Sequence, residues 1–298
     1  MILDYAGNEK VPPDSNGIIE IGIRGAQFER LRGSTSVVLI RPIHKKSLRD
    51  YFKSFKPSRT MRWLHKEGYE FDVHWCPLES DGLVKNAYQY RLNSHMAEHW
   101  EQPSGHTIKG GTDPTATRKG LRELGPIMAS SNGDVWSDWF RYFDKDKFNS
   151  EFKTGPIHPQ PPGSWSDWYP LSLGGIGRQL PKNRYGIYEI SMAKEFQRFR
   201  GRTGTVNIGV AHKRPLFDRL NDKLRSGPGI PDGWSGTMKW LAEDDPNIIF
   251  KARWFPKEGY RSGKTAERAE DWRILEFMKC HLEMPPGQPK PPRGWPFK

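Results

Sequence analysis

Two stretches decide the fold of the C-terminal part of the chain: Arg184-Tyr185-Gly186-Ile187-Tyr188-Glu189-Ile190 and Thr205-Val206-Asn207-Ile208-Gly209-Val210-Ala211. Both alternate apolar and polar residues, which is the period of a half-buried β-strand. Gly201 and Gly204 lie between them, so the two strands are predicted to form a hairpin. A helix with basic residues, among them Arg219, is predicted to follow the hairpin.

The chain after this hairpin continues with alternating helix and strand patterns. A helix is predicted over residues 234–243, a strand over 247–254, and a long helix over 265–283 with Ile274 and Leu275 on its apolar face. Residues 284–298 form a Pro-rich tail that is predicted to be extended. The predicted order of elements is therefore β-β-α-α-β-α.

The N-terminal part also mixes strand and helix patterns. Strands are predicted over residues 18–23, 36–40 and 69–75, and helices over 47–55, 115–124 and 135–148. Residues 155–177, rich in Pro and Gly, are predicted to be a linker. The run Gly174-Gly175-Ile176-Gly177 inside it is a poor phosphate loop, because it lacks the Gly-Lys-Ser/Thr end. We therefore predict an α+β protein with an N-terminal binding or assembly region, 1–170, and a C-terminal domain, 171–298.

Composition and charge indicate which partner the protein is expected to bind and where in the cell it is expected to be. The 298 residues carry a net charge of +12, of which +8 falls in residues 184–298. This balance favours nucleic acid, with DNA as the expected partner. Two cysteines exclude a disulfide framework. The sequence shows no membrane-span pattern and no recognisable secretory signal, so an intracellular location, cytoplasm or nucleus, is expected.

The hairpin, the arginine helix and the later strand and helix together resemble a GIY-YIG nuclease domain over roughly residues 184–286. Gly186-Ile187-Tyr188 matches the first motif, whereas Asn207-Ile208-Gly209 replaces the tyrosine of the second motif with asparagine. The resemblance implies a small mixed sheet flanked by helices. It also implies phosphodiester cleavage with Mg²⁺ or another divalent cation.

The resemblance also implies a set of site residues. Tyr188 matches the motif tyrosine, Arg219 the helix arginine, and Glu270 the metal-binding glutamate, with Glu267 and Glu276 as competing choices. His212 and Lys213, which follow the second motif, are further catalytic candidates. The family's terminal asparagine has only Gln288 as a loose match. These residue types suit the chemistry, because a carboxylate can hold a cation and an arginine fork can bind a phosphate with two hydrogen bonds.

Basic residues among aromatic rings are a second candidate for nucleic-acid contact. Lys53, Lys56 and Arg62 lie in such a segment, and Arg214 follows the second motif. The alternative for this segment is a basic face that covers an aromatic core.

Two short patterns leave their roles open. His95-Met96-Ala97-Glu98-His99 fits the string of inverted zinc proteases, or is incidental. Trp136-Ser137-Asp138-Trp139 recurs as Trp165-Ser166-Asp167-Trp168, which indicates either two aromatic anchors on a core or a stacking platform for bases or sugars.

The sequence thus favours a metal-dependent DNA endonuclease. The alternative is a catalytically inactive scaffold of the same fold that binds nucleic acid or assembles into a homo-oligomer or a larger structure, which the Asn207 change would suit.

Overall fold

The computed structural model describes residues 3–5, 8–103, 113–130, 136–142, 148, 160–172, 175–176, 179–224 and 230–287. The chain divides into two compact units. Unit 1 comprises Met1–His106 and Pro114–Glu151, and unit 2 comprises Thr107–Asp113 and Phe152–Lys298. The main division therefore falls before residue 152, earlier than the boundary after residue 170 that the sequence suggested.

Unit 1 is built on an antiparallel sheet with helices. Its strands are β1 (Leu3–Tyr5), β2 (Asn8–Lys10), β3 (Asn16–Ile23), β4 (Phe28–Glu29), β5 (Ser34–Thr35), β6 (Val37–Ile43), β7 (Phe71–Leu78) and β8 (Phe140–Tyr142). Its helices are α1 (Leu48–Ser54), α2 (Arg59–Lys66), α3 (Asp81–His99) and α4 (Pro114–Ser130). The main sheet has the order β2-β1-β8-β7-β3-β6, and β4 and β5 form a separate pair.

Unit 2 holds a four-stranded antiparallel sheet with the order β11-β10-β12-β9. Its strands are β9 (Tyr169–Pro170), β10 (Tyr185–Gln197), β11 (Arg202–Ala211) and β12 (Phe250–Tyr260). Its helices are α5 (Leu216–Asn221), α6 (Gly236–Asp244) and α7 (Gly263–His281). The β10–β11 hairpin turns at Gly201, which has a positive φ of 70° that glycine adopts without strain.

The two units repeat one topology. In each, a hairpin (β3–β6 or β10–β11) leads into two helices. A third strand (β7 or β12) then pairs with the first strand, and a 19-residue helix (α3 or α7) follows. A short strand, β8 or β9, pairs with the third strand through Val73 with Phe140, or Ala252 with Tyr169. β9 lies at the edge of its sheet, whereas β8 lies between β7 and β1.

The repeated Trp-Ser-Asp-Trp segment precedes β8 in unit 1 and β9 in unit 2, and its serine bonds to the third strand of each sheet. In unit 2, the Ser166 amide donates to Trp254 O at 3.0 Å, and the Trp254 amide donates to Ser166 Oγ at 3.0 Å. In unit 1, Ser137 makes the same pair of bonds with Trp75 at 2.9 and 3.0 Å. The serine of each segment therefore ties it to its sheet. Trp136 and Trp165 pack against the hydrophobic cores, as expected of anchors, whereas Trp168 is exposed.

Sequence correspondences underlie the repeated topology. The matched pairs are Gly17-Ile18-Ile19-Glu20 with Gly186-Ile187-Tyr188-Glu189, Arg30-Leu31-Arg32-Gly33 with Arg198-Phe199-Arg200-Gly201, and Phe71 to Glu79 with Phe250 to Glu258. The helix ends correspond as well, since α3 and α7 both stop at a left-handed residue followed by a buried glutamate, Glu101 or Glu283. Each glutamate pairs with the matching arginine of the hairpin, Arg30 or Arg198.

The α+β class is confirmed, but the expected mixed sheet is wrong, because every strand pair of the described residues is antiparallel. The helix expected over 135–148 is also wrong for residues 140–142, which form β8. Alternating Phe140 and Tyr142 are both buried against β7, so pairing with the sheet outweighs any local helical tendency.

Part of the predicted linker, residues 160–172, contains β9 and packs on β12. Residues 155–159, Gly174, Gly177, Gln288 and the rest of the tail to Lys298 lie outside the described residues. No helix of the described part of the chain is long and apolar enough to cross a bilayer.

Candidate functional site

Tyr188 and Arg219 meet in unit 2, on β10 and on the helix that follows the hairpin. The Tyr188 side chain is buried with 1% of its surface exposed, and its hydroxyl accepts a hydrogen bond from the Arg219 guanidinium. Burial raises the pKa of the Tyr188 phenol, and the Arg219 charge opposes that rise. The phenol is therefore protonated at neutral pH, so its role is to hold Arg219 and not to act as a base.

Glycines make room for this pair. Gly209 lies opposite Tyr188 on β11, and a Cβ at Gly209 would collide with the Tyr188 ring and hydroxyl. A Cβ at Gly186 would lie 2.7 Å from Phe255 O and 2.9 Å from a Leu216 methyl. The glycines of both motif strands are thus required by close packing around Tyr188 and the first turn of α5.

Glu270 is the predicted glutamate that shares this site. Its charge raises the pKa of Tyr188, as does that of Asp222. The two competing glutamates have other partners: Glu267 lies 3.4 Å from His212 Nε2, and Glu276 accepts from Lys279 Nζ at 2.7 Å. The predicted residues Tyr188, Arg219 and Glu270 therefore lie near one another, and Asp222 is a second carboxylate that acts on the phenol.

Lys223 is a member of the site that the sequence did not single out. Its side chain is 4% exposed, its Nζ lies 5.8 Å from the centre of the Tyr188 ring, and it donates to Gly233 O. Burial and, to a smaller extent, the Arg219 charge lower the pKa of Lys223 to about 8, against the opposing charge of Asp222. No local pattern marks a lysine as buried, so only the fold identifies it.

The other predicted catalytic residues lie apart from the phenol. His212 pairs with Glu267, and neither His212 nor Lys213 is among the groups that shift the pKa of Tyr188. Lys213 is exposed. Arg214, predicted to bind nucleic acid, is exposed and forms an ion pair with Asp222, which links it to the edge of the site.

Asn207, which replaces the second motif tyrosine, has a structural contact. Its Nδ2 donates to Gly287 O at 3.0 Å, and the Gly287 amide donates to Val206 O at 2.8 Å. The side chain thus ties residue 287 to β11 and does not reach Tyr188.

A second cluster lies around Glu189, next to Tyr188 on β10. Glu189 is fully buried and binds two arginines, with Arg253 Nε at 2.8 Å from Oε2 and Arg273 Nε on Oε1. The Arg253 guanidinium lies between Trp165 and Trp168, 4.4 and 4.6 Å from their ring centres. Such a paired and stacked charge stabilises the fold only while all its partners remain.

Unit 1 carries the same cluster with one change. Glu20 binds His74 Nε2 at 2.8 Å and also Arg91, and the His74 ring stacks on Trp136 and Trp139 at 4.3 and 3.8 Å. Burial raises the pKa of Glu20, but the His74 and Arg91 bonds lower it more, so the net shift is downward.

The segment with Lys53, Lys56 and Arg62 does not present a stacking surface. Lys53 and Lys56 are exposed, Arg62 is half-buried, and Lys53 pairs with Asp50 at 3.3 Å. The neighbouring rings of Tyr51, Phe52 and Phe55 are buried. The basic side chains therefore cover an aromatic core, which is the alternative that the sequence left open.

The two histidines of the zinc-like string belong to α3. Their ring centres lie 4.6 Å apart, and His99 Nδ1 donates to Arg32 O at 3.1 Å. His281 makes the matching bond to Arg200 O at 2.9 Å in unit 2. The His99 bond is thus part of the repeated fold. Among the described residues, no three His, Cys, Asp or Glu side chains gather as a metal group.

A divalent cation fits the unit 2 site through Glu270. Magnesium is often held by only one or two carboxylates together with water and substrate phosphate, so a three-ligand protein group is not needed. Glu270 is half-buried, and its charge acts on the same phenol that Arg219 contacts.

Comparisons with family models, curated proteins and solved structures found no match for this chain.

Proposed function

We propose that unit 2 hydrolyses phosphodiester bonds of DNA, as a domain of the GIY-YIG type. The observation that carries this proposal is that Arg219 bonds to the Tyr188 hydroxyl and that the Glu270 charge acts on the same phenol. The sequence motif and the element order selected these three residues independently of their distance. The net charge of +12 agrees with a polyanionic substrate.

Each residue of the site has a distinct role in this proposal. Arg219, held by the Tyr188 hydroxyl, donates to the non-bridging phosphate oxygens. Lys223 adds a second positive charge behind the ring, at a pKa of about 8. Glu270 would hold a divalent cation, which neutralises charge on the phosphate and the leaving oxygen when bound. In the reaction, water forms a bond to phosphorus, one P–O bond breaks, and the proton of the water passes to the leaving oxygen.

Cleavage of a labelled DNA duplex with Mg²⁺ tests the proposal. Glu270→Gln should lower the single-turnover rate by about 100-fold or more, the scale of losing a group that stabilises transition-state charge. Glu276→Gln is the matched control, because Glu276 lies on the same helix and pairs with Lys279. Chelation of the metal should abolish cleavage. Intact DNA with the wild-type protein, or equal rates for the two variants, contradicts the proposal.

One observation favours the second function, an inactive scaffold that binds nucleic acid or assembles. Tyr188 is 1% exposed and Asn207 is tied to Gly287, so both motif positions serve packing. Salt-sensitive DNA binding without cleavage would indicate the binding form of this function. Large particles in size-exclusion chromatography, with DNA affinity insensitive to salt, would indicate assembly.

A further inference from the structure

Unit 1 contains a tyrosine–arginine pair at the place where unit 2 has Tyr188 and Arg219. Arg41 Nη1 donates to the Tyr51 hydroxyl at 3.1 Å. Arg41 lies opposite Ile19 on the β3–β6 hairpin, as Gly209 lies opposite Tyr188 on β10–β11.

In the two pairs, the strand and the helix exchange the residue that each supplies. In unit 2 the strand supplies the phenol and α5 supplies the guanidinium, whereas in unit 1 the strand supplies the guanidinium and α1 supplies the phenol. Gly209 leaves room for the Tyr188 ring, and the smaller Ile19 faces the long side chain of Arg41. Both hairpins thus place the same two chemical groups next to the helix that follows them.

The acid of unit 2 is replaced in unit 1 by a second phenol. Glu270 is the eighth residue of α7, and Tyr88 is the eighth residue of α3. The Arg41 charge counters the rise that burial causes in the pKa of both Tyr51 and Tyr88, so Arg41 lies near both phenols. Lys46 Nζ lies 5.2 Å from the centre of the Tyr51 ring and adds another positive charge.

Arg41 has no ion pair with a carboxylate among the residues that the structure describes. It donates to the Tyr51 hydroxyl and lies near Tyr88, and it is half-buried. A guanidinium that is held in place by neutral donors and acceptors keeps its full charge for an external anion. Phosphate fits best, because a tyrosine hydroxyl and an arginine can both donate to its oxygens.

We propose that unit 1 carries a second phosphate-binding site, formed by Arg41, Tyr51 and Tyr88, which binds the DNA backbone without cleaving it. The inference rests on the proposed function of unit 2 for the identity of the ligand. It assigns DNA retention to unit 1 and hydrolysis to unit 2. Without a carboxylate in the place of Glu270, the unit 1 site has no group there to hold a cation.

Binding of a labelled DNA duplex to the full chain, measured by fluorescence anisotropy across a salt series, tests this inference. The measurement uses the Glu270→Gln background, so that DNA stays intact. Arg41→Gln should weaken binding about tenfold, the value of one charge-assisted hydrogen bond, and should reduce the slope of log K against log salt by about one. Tyr51→Phe should weaken binding less and leave the slope unchanged, because it removes a neutral hydroxyl that supports Arg41 and donates to the phosphate, and it removes no charge.

Lys119→Gln is the charge-matched control. Lys119 is exposed on α4 of the same unit and pairs with Glu123 at 3.7 Å. Circular dichroism and an unfolding curve for each variant establish that the fold is kept. If Arg41→Gln binds as the Lys119→Gln control does, or if the chain does not bind DNA, the inference is overturned. Cleavage by the wild-type chain is scored separately, so loss of the unit 1 site and loss of the nuclease proposal give different results.

Discussion

At the scale of single residues, the site consists of the Tyr188–Arg219 hydrogen bond, the buried Lys223 beside the Tyr188 ring, and the charge of Glu270. Tyr188 and Arg219 follow from the hairpin and helix patterns, and Glu270 was one of three choices on its helix. Of the three, Glu270 is the one whose charge acts on Tyr188, while Glu267 contacts His212 and Glu276 contacts Lys279. Lys223 could not be found from the sequence, since burial of a lysine depends on elements that surround it in space.

Lys223 leads to a prediction about pH. Its pKa of about 8 in the folded protein is below its ordinary value of 10.5, so the unfolded state binds more protons above pH 8. The free energy of unfolding should therefore rise between about pH 8 and pH 10, where Lys223 becomes neutral in the folded state. Lys223→Met should flatten this rise in denaturant unfolding curves. A wild-type curve that is flat or falls over this range contradicts the assigned burial.

Glu189 leads to a prediction about stability. Glu189→Gln leaves Arg253 and Arg273 without their buried carboxylate, and breaking such a pair costs about 3 kcal/mol. Glu258→Gln, at an exposed position of β12, should change the free energy of unfolding by less than about 0.5 kcal/mol. Equal denaturation midpoints for the two variants would show that the cluster contributes nothing.

At the scale of elements, periodicity predicted most helices and the long strands, but it did not predict the short strands β8 and β9. β8 and β9 are only three and two residues long, and their place is fixed by the serine that precedes each of them. The aromatic residues near Phe140 suited a helix by local pattern. Their partners on β7 lie far away in the chain, so no local signal could indicate the pairing.

The serine anchors can be tested in unit 2. Ser166 Oγ accepts from the Trp254 amide and donates to Asp167 O, so Ser166→Ala leaves a buried amide without its partner. The expected cost is about 1–3 kcal/mol. Ser164→Ala removes an exposed hydroxyl two residues away and is the matched control. The idea of an anchored edge strand is lost if urea unfolding cannot tell the two variants apart.

At the scale of the whole molecule, the repeated topology is the feature that sequence reasoning missed. The Trp-Ser-Asp-Trp segments were noticed, but they come after the third strand in unit 1 and before the hairpin in unit 2. The remaining matches are short and separated by loops of different length. The matches become clear when equivalent contacts of the two units are compared, such as the Arg30–Glu101 pair with the Arg198–Glu283 pair.

The repeat predicts that each buried glutamate stabilises its own unit. Glu20→Gln should speed amide hydrogen exchange in β3 and β7, and Glu189→Gln should do so in β10 and β12, because each cluster joins elements of one unit. Hydrogen exchange followed by mass spectrometry shows directly which strands exchange faster in each variant. Faster exchange in β10 and β12 on changing Glu20 would mean that the units do not open separately.

The central claim is that Tyr188, Arg219 and Glu270 form one phosphodiester-cutting site, and a double-mutant cycle on DNA cleavage tests it most directly. Single-turnover rates are measured for the wild type, Arg219→Gln, Glu270→Gln and the double variant with Mg²⁺. Residues that act as a unit give losses that are far from additive, so the double variant should be little slower than the worse single variant. Losses that multiply independently, or no cleavage by the wild-type chain, would contradict the account.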